Sequence, residues 1–222
     1  MPRASQRNPR TLALALLLMA STSLLHAAPA CRQPAPRAVL ERFVPADCES
    51  CWQAASPKPA ARAWAIDWIV PAGDGAPMAV AALPEAVERR ATRLQAQPLP
   101  RVPPLRLHVA DGPAWNGYVG LQLAVTRRGA YPAGASAYVA LVERVPAGSD
   151  GTAIDRQLVR IVIGPLPLGE LATLRTVRHL RTVRLPEGAQ PERLASVGWV
   201  ESADGRVLAA VQSPAAGCVG PR

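Results

Sequence analysis

The stretch VLERFVPADCESCW, residues 39–52, decides how this chain is read. An apolar run rich in β-branched and aromatic residues ends at Pro45, and after Ala46 and Asp47 comes a Cys-x-x-Cys pair, Cys48 and Cys51. Residues 38–44 read as a strand stopped by proline. The second Cys opens a short helix, Cys51-Trp52-Gln53-Ala54-Ala55, limited by Pro57 and Pro59. Strand, tight loop, Cys pair and helix place the first sulfur where unpaired N–H groups favour a thiolate.

Three readings of the pair compete. In thiol–disulfide exchange, Cys48 is the exposed attacking residue and Cys51, shielded by the helix, resolves the mixed disulfide. In a zinc site, two further ligands are required. Cys31, Cys218, His108 and His179 are the candidates, but there is no second Cys-x-x-Cys and no paired His. In the third reading the pair is a permanent local disulfide that pins a strand-to-loop corner. The flanking Asp47 and Glu49 work against a depressed thiol pKa. No metal or cofactor is expected.

Working outward, the first 30 residues carry Arg3, Arg7 and Arg10, an apolar run over residues 12–20, and the small-residue zone Ala27-Ala28-Pro29-Ala30. This is the pattern of a secretory signal peptide, too short in its apolar part to span a bilayer as an ordinary anchor. It predicts a periplasmic or secreted protein with no transmembrane segment after processing. In that compartment the four Cys are expected to pair. Spacing favours Cys48 with Cys51, and Cys31 with Cys218 across the two ends of the mature chain. The charge of +9 falls on processing, because three of the 25 Lys and Arg lie in the leader. An exported chain of this kind is not expected to bind nucleic acid. A weak preference for anionic surfaces is compatible with the remaining charge.

The rest of the chain alternates short apolar runs with turn residues. AWAIDWIV, residues 63–70, is a second strand, with Trp64, Ile66, Trp68 and Val70 on one face and Asp67 on the other. Residues 78–97 read as a helix, with Pro84 in its first turn or at a kink. PLPRVPP, residues 98–104, is a stiff proline-rich boundary. Seven strand-like runs follow, over residues 105–109, 118–126, 137–145, 156–163, 177–185, 194–201 and 206–212. Turn residues such as Asn116-Gly117 and Asp204-Gly205 separate most of them. Short strands at this spacing predict an antiparallel sandwich or barrel. In LRTVRHLRTVRL, residues 174–185, Arg175, Arg178, Arg181 and Arg184 recur every third residue, which reads as solvated arginine on an exposed strand. Asp67, in a largely apolar strand, is a candidate proton relay to Cys51 or a strand-end residue. No G-x-S-x-G, phosphate loop or H-E-x-x-H is present.

Three stretches carry a resemblance: VLERFVPADCESCW, AWAIDWIV with its Ile66-Asp67-Trp68 triplet, and residues 185–214 followed by Cys218. Together they resemble a family of exported, largely uncharacterised bacterial proteins, Omp-type secreted proteins with a thioredoxin-like start and a β-rich C-terminal part. The resemblance implies a signal peptide over residues 1–30, a reduced thioredoxin-like α/β unit over residues 31–98, and an antiparallel β-sandwich over residues 102–222. It implies Val102-Pro103-Pro104-Leu105 as the nearest match to a proline segment facing the Cys pair. The function expected is thiol–disulfide exchange, with exported thiol proteins as partners. The alternative is a non-catalytic envelope protein with structural disulfides and a partner-binding sandwich.

Overall fold

Alternation of buried and outward residues builds most of this chain. A computed structural model describes residue 36 and residues 38–55, 63–92, 97–101, 103–130 and 132–213. Its strands are β1 (Ala38–Pro45), β2 (Ala63–Val70), β3 (Gln97–Pro98), β4 (Leu105–Asp111), β5 (Tyr118–Arg127), β6 (Ser136–Val145), β7 (Arg156–Pro167), β8 (Thr176–Arg184), β9 (Leu194–Glu201) and β10 (Val207–Gln212). Two α-helices accompany them, α1 (Glu49–Gln53) and α2 (Glu85–Thr92).

The strands form two sheets. The larger is mixed and runs β10-β9-β6-β7-β2-β1-β3; the smaller runs β4-β5-β8. The small sheet packs on one face of the large one. Leu105, Leu121, Leu123, Val125 and Val177 meet Val139, Leu141, Val200 and Leu208 there. Gly198 of β9 admits the close approach of the sheets, since a Cβ at that position would lie 2.7 Å from Leu123 Cδ1. On the opposite face Trp64, Ile66, Trp68, Val142, Val159 and Trp199 form a second core beneath Ala86 of α2.

This second core holds a cation. The Arg89 guanidinium lies 5.2 Å from the Trp68 ring centroid, 5.4 Å from Tyr138 and 5.0 Å from Trp199. Arg89 Nε donates to Glu41 Oε2 at 2.9 Å, and Arg89 Nη2 donates to Glu201 Oε1 at 3.0 Å. Burial opposes its charge, but the hydrogen bonds and charges of Glu41 and Glu201 outweigh burial and hold the guanidinium above its ordinary range.

This architecture corrects the expected fold class. Among the described residues no thioredoxin-like α/β unit is seen at the N-terminal end. β2 has β1 on one side, parallel over its whole length, and β7 on the other through Asp67↔Leu158. The two N-terminal strands are therefore built into the same sheet as β6, β7, β9 and β10. Leu105 opens β4 in the other sheet, where it pairs with Arg127 of β5. The expected long helix over residues 78–97 is also broken. Leu83 N–H donates to Ile69 O of β2 at 3.0 Å, and Ile69 bridges to Ala82, so this backbone pairs with the sheet. Proline at 84 supplies no N–H to continue a helix from the preceding turn, and α2 begins after it.

Candidate functional site

The Cys pair sits where β1 ends. Proline at 45 cannot donate to the ladder, so the chain leaves the sheet, and Cys48 becomes the residue before α1. Cys48 N–H donates to Pro45 O at 3.1 Å, and Trp52 N–H donates to Cys48 O at 3.2 Å. The two sulfurs are bonded, with the Cα atoms 5.2 Å apart. The exposures invert the expected order: Cys51 is exposed, while Cys48 is half-buried. α1 is one short turn, and its buried side rests on Trp52, which leaves Cys51 facing outward.

What holds α1 is a buried ionic chain. Trp52 is buried against Val44, Ile69 and Leu158, and its ring N–H donates to Asp150 O at 2.7 Å. The Arg156 guanidinium stacks 4.6 Å from the Trp52 ring. Arg156 Nη2 donates to Trp52 O at 2.7 Å and lies within reach of Cys51 O and Ala54 O. These are carbonyls at the end of a helix that would otherwise lack donors. Arg156 Nη1 donates to Asp67 Oδ1 at 2.8 Å, and Nε donates to Thr152 Oγ1 at 2.8 Å. Asp67 Oδ2 accepts from Arg42 Nη2 at 2.7 Å and from Gln157 N–H at 3.0 Å. The side chains of Asp67 and Arg156 are both 0% exposed.

Asp67 is thus joined to the Cys corner, but through Arg156 and the main chain. Its oxygens are taken by two guanidiniums and a backbone N–H, which makes it the counter-charge of an anchor. The sequence reading found Asp67 and missed Arg156 and Arg42. Nothing local marks Arg156, one of many arginines in the chain, which here opens β7. The only available signal was a carboxylate in an apolar strand, which must be paired if it is buried. Cys31 and Cys218, and with them the expected bridge between the chain ends, lie outside the described residues, as does the leader over residues 1–30.

Beside α1 opens a groove of about 350 Å³. Trp52, Ile69, Met78 and Leu158 form its apolar wall, and Glu49 and Asp150 stand among its polar lining. Neither Cys lines it. Among the described residues, no group of three or more His, Cys, Asp and Glu is placed to hold a metal. His108 and His179 belong to β4 and β8 of the small sheet.

No protein-family model matches the chain, and no curated protein matches it. Among solved structures, HBP35 of Porphyromonas gingivalis is similar, with a TM-score of 0.53 at 10% identity over 82% of this chain and 76% of that one. At that identity the likeness is one of fold alone, to a bacterial protein. The expected thioredoxin-like start gains no support from these comparisons. No helix among the described residues is long and apolar enough to cross a membrane.

Proposed function

We propose that the Cys48–Cys51 corner is a reversibly reducible surface disulfide serving thiol–disulfide exchange in an exported protein, carried on a β-rich scaffold. The observation that carries this reading is the anchoring of α1. Trp52, Arg156 and Asp67 hold the helix through packing, hydrogen bonds and ion pairs that do not involve sulfur. The disulfide closes a loop so short that the chain-entropy relation assigns it only about 2 kcal/mol. Breaking it leaves the corner in place, as a cycling centre requires. In the exchange step an incoming thiolate attacks Cys51 Sγ, the S–S bond breaks, and Cys48 leaves as the thiolate. A second thiolate of the partner then attacks the partner's own sulfur in the mixed disulfide, Cys51 leaves as the thiolate, and the partner gains a disulfide while the Cys pair is left reduced. The partners are exported proteins bearing thiols, and the chain belongs with exported bacterial proteins of the kind its Cys-x-x-Cys strand resembles.

The test is trapping. With Cys51 the attacked sulfur, Cys48→Ser accumulates mixed disulfides with exported proteins, Cys51→Ser does not, and Cys51 is alkylated first after mild reduction. A disulfide that resists reduction without denaturant, with no adduct in either variant, rejects the reading. One observation favours a second reading: neither Cys lines the adjacent groove. A non-catalytic envelope protein would keep the disulfide as a corner staple and bind its partner elsewhere on the sandwich.

A further inference from the structure

We propose that the outer face of the three-stranded sheet docks the protein onto a membrane surface bearing anionic lipid headgroups. On β5, Val119, Leu121, Leu123 and Val125 are buried against the large sheet, so Gly120, Gln122, Ala124 and Thr126 point the other way. The register places Ala124 between His108 and Arg178, Gln122 between Ala110 and Leu180, and Thr126 between Arg106 and Thr176. Tyr118 stands opposite Arg184 at the far end. Ala124 is thereby flanked by the longer His108 and Arg178, and Thr126 has Arg106 on one side. The exposed arginines that the register puts on this face are Arg106 on one side and Arg178 and Arg184 on the other.

Charge on this sheet is one-sided. Arg127, Arg128, Arg175 and Arg181 belong to the same strands or their ends, and none of these seven arginines forms a salt bridge among the described residues. The carboxylate on these strands is Asp111, and Ser196 Oγ donates to it at 2.6 Å across the sandwich. Glu170 lies in the short helical turn before β8 and not on these strands. An anion meeting the face finds guanidiniums with no carboxylate to displace; the partners of Arg127 and Arg181 are the main-chain carbonyls of Leu174 and Leu180.

The apolar content points to lipid. Four of the six large apolar side chains exposed among the described residues belong to this sheet and its ends: Trp115 at 81%, Leu180 at 68%, Tyr118 at 49% and Leu174 at 48%. Trp115 is displayed by a tight hairpin. Asn116 and Gly117 have φ of 52° and 79°, and Trp115 and Tyr118 exchange backbone hydrogen bonds at 2.8 and 2.9 Å. Aromatic rings beside arginine suit the headgroup level of a bilayer, and exposed leucines suit the acyl boundary beneath it. A soluble polyanion would use the arginines and gain little from Leu174 and Leu180.

The chain carries its own probe. Of five tryptophans, Trp52, Trp64, Trp68 and Trp199 are buried, so an emission change on binding reports Trp115. The full chain is mixed with phosphatidylcholine vesicles, with or without roughly a third phosphatidylglycerol. The expected result is co-sedimentation with the anionic vesicles only, a blue shift of Trp emission, and weakening with salt. Replacing Arg178 and Arg184 by Ser should lower vesicle affinity by roughly five-fold per arginine. Trp115→Ser with Leu180→Ser should weaken vesicle binding and leave retention on heparin unchanged. Failure to bind anionic vesicles at low salt overturns the proposal. Vesicle binding with no Trp shift and no effect of the Trp115 and Leu180 changes also overturns it, and assigns the face to a soluble polyanion.

Discussion

Replacing Asp67 with Asn removes the negative charge on which two buried arginines converge and leaves the local shape nearly unaltered. The side chains of Asp67 and Arg156 are fully buried, and that of Arg42 is 10% exposed. In Asp67→Asn, Arg156 keeps Thr152 and the α1 carbonyls as acceptors but loses its counter-charge. The new amide NH2 must also face one of the three donors that the carboxylate now receives, Arg42, Arg156 or Gln157 N–H. Removing one partner of a buried ion pair costs about 3–5 kcal/mol, because the other charge stays behind. At about 2–4 °C per kcal/mol for a chain of this size, the expected fall in melting temperature is roughly 6–20 °C. Urea unfolding followed by Trp fluorescence measures it, with an unchanged slope marking a true loss of stability. Arg156→Met should be destabilising by itself, and the double variant should lose less than the sum of the single losses by about 1–3 kcal/mol. Arg156→Met should also speed reduction of Cys48–Cys51 by dithiothreitol, because it frees the α1 carbonyls. A loss below about 1 kcal/mol for Asp67→Asn, or strict additivity with Arg156→Met, would refute the anchor.

Three further outcomes are expected. Gly198→Ala should cost about 1–3 kcal/mol in urea unfolding, because its methyl enters the space of buried Leu123; trimming Leu123 to Val in the same chain should recover part of the loss. Cys48→Ser with Cys51→Ser should cost only about 2 kcal/mol and leave the near-UV circular dichroism native, since other contacts hold the corner. Burial, then the charge of Arg181, holds His179 below its ordinary value of 6.5. The folded state therefore binds that proton more weakly than the unfolded chain does, so its contribution is complete above 6.5 and is lost as pH falls toward the lower folded value. His179→Gln should flatten the decline of the urea midpoint across that window, and an unchanged profile would show that His179 does not contribute to it.

Much of the local structure was legible because the signals are local. Residues 63–70 and 194–201 alternate or run apolar between turn residues, and both are strands with those bounds. Asp204-Gly205 signals a tight hairpin in the sequence, and Gly205, at φ 79°, turns β9 into the antiparallel β10. Strand existence follows from side-chain period and from where proline and glycine stop it, and those features are written along the chain. Strand partners are not. β1 and β2 look the same to their own residues whether the next neighbour is a thioredoxin-like strand or β7, since the choice rests on long-range pairing and shared burial. Asp67 lies on that boundary. Its oddity in AWAIDWIV was visible, but the arginines that answer it come from β1 and β7, 25 and 89 residues away, and only folding brings them within hydrogen-bond reach. The arginine row of β8 shows the same division. The three-residue spacing spreads the charges over both faces of a strand, and the basic face arises only when β5 sets Arg178 and Arg184 across from β4 with its Arg106. Local sequence determined which segments extend and where they turn; tertiary pairing decided which charges are buried together, which stand exposed, and which way the two sulfurs face.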